Sequence, residues 1–98
     1  RLADALEVYA HFERGLAREE ALGRMAEIAD WPQVEAVEFV SREEGWEQFK
    51  SKLASGGKLD GLDNPVTDCV RVRVANPELL AEVSANLARV DGVSDVVP

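Results

Sequence analysis

Apolar residues along the chain alternate between two spacings, and each switch marks an element. From Leu6 to Phe12 every second residue is apolar, with Leu6, Val8, Ala10 and Phe12 on one face and Glu7, Tyr9 and His11 on the other. That is the period of a half-buried strand, with His11 pointing outward. Arg14-Gly15 breaks it, and from about Arg18 to Asp30 the positions Ala21, Leu22, Met25, Ile28 and Ala29 take helical spacing until Pro32 stops the helix. Val34 to Val40 is rich in β-branched and aromatic residues and predicts a second strand. Its inward face is open between Val37/Phe39 and Val34/Val40. Cys69 to Val74 alternates again, valines inward and arginines outward, for a third strand. Asn76-Pro77-Glu78 then starts a helix with an asparagine cap, a proline in the first turn and an acid facing the positive end of the dipole. Leu79, Leu80, Val83, Leu87 and Val90 carry its stripe to about Arg89. Asp91-Gly92 turns the chain into a fourth strand, Val93 to Val97.

Two segments align without gaps: Ile28 to Val37 and Leu87 to Val96, each a helix end, a tight turn and a strand entry. The plan is therefore strand-helix-strand twice over. Right-handed crossovers close such a duplicated split βαβ into one four-stranded antiparallel sheet with two helices on one face, a ferredoxin-like α+β fold. In that arrangement the first and last strands are neighbours, so Ala5 and Val97 lie close together and both chain ends can meet one membrane. The body comprises residues 5–40 and 68–97, and the insertion 41–67 leaves from the opposite part of it.

The insertion is where the chain carries more than its folding requires. Ser41 and Glu44 have capping-box spacing, so a helix begins at Arg42. Trp46, Phe49 and Leu53 fall three and four apart, one narrow stripe, with Glu43, Glu47, Lys50 and Lys52 on the other face. Ser55, Gly56 and Gly57 end the helix. Leu59 and Leu62 form a second short apolar pair, and Asp63-Asn64-Pro65 returns the chain to an extended path. A short helix containing Gly45 is poor on its own, since glycine costs about 1 kcal/mol against alanine. Either the stripe packs as ordinary core, or the lobe is a lid whose stripe stays partly open for a partner, with Lys50 and Lys52 on its rim.

Ninety-eight residues, 46% of them hydrophobic, make one globular domain that needs no metal or disulfide staple. The net charge of −8, from 19 acidic and 11 basic side chains, argues against nucleic acid or an anionic membrane surface as partner, because both require a cationic face. Cys69 is the only cysteine, so an internal disulfide is impossible. Apolar runs are far too short for a membrane span. The chain starts at Arg1 without methionine and stops directly after Val96-Val97, which reads as a piece of a longer protein.

Catalytic chemistry finds little to work with. His11 is the only histidine and has no identifiable nucleophile beside it. Cys69 reads as a small apolar filler. Asp60, Asp63, Asn64 and Asp68 are oxygen ligands close in sequence, but their spacing is not that of a calcium loop. Glu19-Glu20 and Glu43-Glu44 are acids in the first turns of helices. Neither a catalytic residue, a metal site nor a cofactor is expected.

The phrase Val37-Glu38-Phe39-Val40-Ser41-Arg42-Glu43-Glu44, then Phe49 in helical register, a leucine-containing turn, Asn64-Pro65, and a closing Leu87-Ala88-Arg89-Val90-Asp91-Gly92-Val93 resembles the extracytoplasmic domain of the FtsX family of bacterial division proteins. The likeness covers roughly Leu6 to Val97. It departs at Gly45-Trp46, where the family pattern has Ala-Leu, and at Val66-Thr67, where it has Leu-Pro. The resemblance implies an ABC-transporter-like membrane subunit that pairs with the ATPase FtsE and transports nothing, a homodimer in the full complex. Its outer domain would lie on the periplasmic or extracellular face of the cytoplasmic membrane, at the division site. There it would recruit and activate a peptidoglycan hydrolase or a coiled-coil hydrolase activator, gripping it through Trp46, Phe49, Leu53, Leu59 and Leu62; the residue pattern itself adds Lys50 to this partner-binding set as a rim cation. The alternative is a small-molecule or peptide-sensing domain on the plain ferredoxin-like body. The location of exposed apolar area separates the two: on the lobe for a protein partner, in a cleft between sheet and helices for a ligand.

Overall fold

A computed structural model describes residues 6–52 and 64–97. Four strands, β1 (Glu7–Phe12), β2 (Val34–Val40), β3 (Cys69–Val74) and β4 (Val93–Val97), form one sheet in the order β2-β3-β1-β4, each neighbouring pair antiparallel. Helix α1 (Arg18–Ala29) follows β1, α2 (Arg42–Lys52) follows β2, and α3 (Leu80–Leu87) follows β3 after a 3₁₀ turn over Pro77–Leu79. This is the expected duplicated split βαβ fold. The sequence repeat has a backbone counterpart. The Trp31 amide donates to the Ile28 carbonyl and Val34 to Trp31, while Val90 donates to Leu87 and Val93 to Val90.

The core lies between the sheet and α1 and α3. Val8, Ala10 and Phe12 from β1 and Val70, Val72 and Val74 from β3 meet Ala21 and Ile28 of α1 and Val83 and Leu87 of α3, all essentially inaccessible to water. These strand residues are the alternate positions that the period-two pattern assigns to the inner face. On β2 a register shift between Val34 and Ala36 resolves the two candidate faces. One extra residue there turns Val34 to the same side as Val37 and Phe39, opposite Val74, Val72 and Val70. Val40 is buried too, paired with Cys69 on the reverse face.

Two helical stripes are narrower than their spacing suggests. In α1, Ala21 and Ile28 are buried with Met25 between them, whereas Leu22 is 41% exposed and Ala29 is exposed. In α3, Val83 and Leu87 carry the packing and Leu80 is only half-buried, because the helix is preceded by a 3₁₀ turn that shifts the phase of its first residues. The asparagine cap is as expected, Asn76 accepting from the Glu78 amide at 3.1 Å with Pro77 next in line.

The other face of the sheet carries polar residues. Arg73 pairs with Glu7 and Glu35, Arg71 with Glu38, and Tyr9 stacks on His11 with ring centres 6.5 Å apart. Tyr9 also pairs with Val97, so β1 begins and β4 ends at one end of the sheet. β2 ends and β3 begins at the other, where Val40 pairs with Cys69 and Cys69 with His11. The insertion therefore springs from the end of the sheet remote from Tyr9 and Val97.

Candidate functional site

Helix α2 starts where the sequence sets it. The Ser41 hydroxyl accepts from the Glu44 amide at 3.1 Å, which is one half of the capping box. A second acceptor comes from far along the chain. The Asp68 carboxylate takes the Arg42 amide at 2.8 Å, so the first turn of α2 is capped from both sides of the insertion. Glu43 and Glu44 in the first turn and Lys50 and Lys52 in the last match the helix dipole.

No residue of α2 is buried. Trp46 and Phe49 lie on one side, stacked with ring centres 5.8 Å apart and planes 16° from parallel. Trp46 is half-buried and Phe49 is 48% exposed. Lys50 does not join the opposite charged face. Four residues on from Trp46, its ammonium sits 5.5 Å from the Trp46 ring centre while pairing with Glu47 at 3.2 Å. The three together make a patch of two rings edged by a cation. Leu53, Leu59 and Leu62, the remaining members of the expected binding set, lie outside the described residues.

Gly45 also has a packing role that helix propensity obscures. A Cβ there would stand 3.0 Å from a Val66 methyl and 3.9 Å from one of Val40, so its absence lets α2 lie against the returning segment. The two places where the chain departs from the family pattern thus touch one another.

The base of the insertion is an ionic clasp that sequence reading missed. Arg18, at the start of α1, donates to both oxygens of Asp68 (3.3 and 2.9 Å) and to Glu43 in α2 (2.7 Å). Arg42 pairs with the same Glu43 at 3.3 Å. Asp68 is buried. Nearby, Arg14 donates to the Asn64 and Pro65 carbonyls, while the Asn64 side chain donates to the Arg42 carbonyl and accepts from Val66. Asn64 and Asp68, weighed as oxygen ligands in the sequence, are thus fastenings of the chain. Because Arg18 hydrogen-bonds it, Glu43 is held well below the ordinary carboxylate range, at about 2. The Arg18 guanidinium is in turn pushed further up by Asp68 and then Glu43. The only advance signal was a lone acid ahead of an apolar strand, which names no partner.

His11 is half-buried beside Tyr9 on the polar face of the sheet. Burial, followed by the Asp68 and Glu44 charges, raises the Cys69 thiol to about 11, which leaves it protonated and unreactive at neutral pH.

The fold and its insertion define an α+β domain of the ferredoxin-like class that carries a helical lobe between its halves. Residues 5–98 match the family described as the FtsX extracellular domain. The chain belongs to that family. It is 32% identical over 92 residues to the cell division protein FtsX of Aeromonas hydrophila, covering 89% of this chain and 29% of that protein. The chain thus spans less than a third of that relative's length. Among solved structures it resembles extracellular domain 1 of FtsX from Streptococcus pneumoniae in complex with undecyl-maltoside, with a TM-score of 0.85 at 16% identity over 100% of this chain and 97% of that one. The solution structure of the large extracellular loop of FtsX from the same organism gives 0.78 at 18% identity, covering 93% and 96%. The expected family and fold are therefore correct, and the domain is the extracellular part of a cell-division membrane protein.

Proposed function

We propose that the domain is a noncatalytic binding module, which captures a peptidoglycan hydrolase or a coiled-coil hydrolase activator on α2 and its insertion and activates it. Trp46 and Phe49 are the anchors, Lys50 is the rim cation for acids on the partner, and Leu53, Leu59 and Leu62 extend the apolar surface. The parent membrane protein, as a homodimer paired with FtsE, would pass ATPase-driven motion to this lobe at the division site. One observation carries the reading. The exposed aromatic surface lies on a helix that contributes nothing to the core, stacked ring on ring and edged by a cation. A ligand-sensing role needs a cleft between sheet and helices. That space is filled by Phe12, Ile28, Leu87 and the valines of β1, β3 and α3.

The test immobilises the 98-residue chain and its Phe49→Glu variant as bait for an envelope extract, then adds each to the retained hydrolase acting on purified peptidoglycan. Wild type should retain a hydrolase or a coiled-coil protein and raise hydrolysis, and the variant should lose both effects. Truncation of an aromatic anchor costs ~2 kcal/mol, about thirtyfold in affinity. Equal retention by both baits, or hydrolysis unchanged by the domain, refutes the proposal.

A further inference from the structure

The clasp at the base of the insertion does something that neither the fold nor a binding face demands. Chain connectivity alone ties α2 to the body through two crossings, Val40-Ser41 going out and Asn64 to Asp68 coming back. Two covalent strands allow a helix to swing about the line that joins them. Among the described residues one side chain bridges the body helix and α2 directly: Arg18 reaches from α1 to Asp68 at 2.9 Å and to Glu43 of α2 at 2.7 Å with the same nitrogen, and so opposes the swing. The Asp68 carboxylate completes the link by accepting the Arg42 amide from the first residue of α2.

We propose that Arg18 is an orientation lock, fixing the angle at which α2 presents Trp46 and Phe49 to the body. Three features support the assignment. Asp68 is a buried acid directly before the central strand β3, so it is a fixed point of the body. Glu43 lies one residue into α2, so its position defines the helix axis near its origin. The guanidinium is planar with several donors, which lets it hold two carboxylates in set directions as an ammonium cannot. Its carbon also rests 5.8 Å from the centre of the Phe39 ring, so the side chain is steadied from beneath by a residue packed against the core. The lock faces Asp68, Glu43 and Phe39, and Arg42 also contacts Glu43 from within α2. With the lock closed, the first turns of α2 move with the sheet. With it open, what remains among the described residues is the chain crossings, the Arg42 amide on Asp68, the Asn64 side chain on the Arg42 carbonyl, the Arg14 contacts to Asn64 and Pro65, and the Val66 contact, all of them gathered at the root of α2. The inference holds whichever partner the aromatic face takes, and its test uses none.

Residual dipolar couplings of backbone amides, measured on the 98-residue chain in a weakly aligning medium, read the relative order of α2 and the body directly. In the wild type the couplings of residues 43–50 should fit the alignment tensor of the sheet. In Glu43→Gln, which leaves the Arg18–Asp68 pair in place, and in Arg18→Gln, the α2 couplings should shrink and depart from that tensor while the sheet couplings stay unchanged. Arg18→Lys, which keeps the charge but not the fork, should fall between. A single tensor that survives in both glutamine variants overturns the proposal, as does an α2 that is already independent in the wild type. If Arg18→Gln also disrupts the sheet couplings, Glu43→Gln decides: an unchanged α2 in that variant overturns the lock.

Discussion

Replacing Phe49 with serine separates a binding surface from a piece of core, and the structure sets the size of the effect. Full burial of a phenylalanine is worth roughly 1.5–3 kcal/mol. Phe49 is 48% exposed, and its neighbour on the stripe is the half-buried Trp46. About half of that gain is therefore realised in the folded state, so Phe49→Ser should cost about 1 kcal/mol in stability, including a small loss of helix propensity. Leu87 is 0% exposed and sits in the core between the single sheet and the helices, so Leu87→Ala should cost about 2–5 kcal/mol. Leu80, half-buried at the start of α3, is a weaker control. Urea denaturation followed by far-ultraviolet circular dichroism measures both variants against wild type on one scale. Partner capture should show the inverse order, lost in Phe49→Ser and, under conditions where it remains folded, kept in Leu87→Ala. A Phe49→Ser midpoint as low as that of Leu87→Ala would mean that the stripe is core, and the binding argument would fail.

Acid should open the clasp late. Glu43 is held at about 2 against an ordinary 4.5, chiefly by its hydrogen bond to Arg18, so its contribution is fully present above 4.5 and is lost as pH falls through about 2. Carboxyl carbon NMR should show that low midpoint in wild type and a rise toward the ordinary value in Arg18→Gln; an unchanged midpoint in the variant would contradict the ion-pair account. Gly92→Ala should destabilise by about 1–3 kcal/mol, because Gly92 has a φ of +90° and an added Cβ would lie 2.9 Å from a Leu16 methyl. A thermal melt equal to wild type would show that Leu16 yields freely and that the turn is unstrained.

The body was legible because its signals are local and mutually consistent. The bounds of Val34–Val40 follow from β-branched and aromatic content after Pro32, those of Cys69–Val74 from alternation, and those of Val93–Val97 from the Asp91-Gly92 turn, while the Ile28/Leu87 repeat carries the topology. Val34 escaped the pattern since a bulge inserts one residue and turns its side chain over, a change that no period-two count contains. Lys50 is legible as a rim cation, but the two-faced reading of the helix sets it opposite the stripe, whereas four residues of helix place its ammonium over Trp46. The partners of the clasp could not be read. Arg18 and Asp68 are separated by 50 positions, and either one alone is an unremarkable charge. What joins them is the return of the chain to β3 beside the start of α1, which exists only once the sheet has formed.

The insertion leaves from edge strand β2 and returns to central strand β3 at one end of the sheet, while β1 begins and β4 ends at the other. Such an attachment has a mechanical meaning. A pull on α2 directed along the strands, against an anchor at the far end, tries to slide β3 past β1. The ladder bonds run perpendicular to the strands, so they resist sliding together, each carrying a share of the load. A pull across the strands would instead open the ladder bond by bond from its end. On ladder geometry alone the sheet should resist a load applied along its strands better than one applied across them, and Asp68 stands where the insertion rejoins β3 and would meet such a load first.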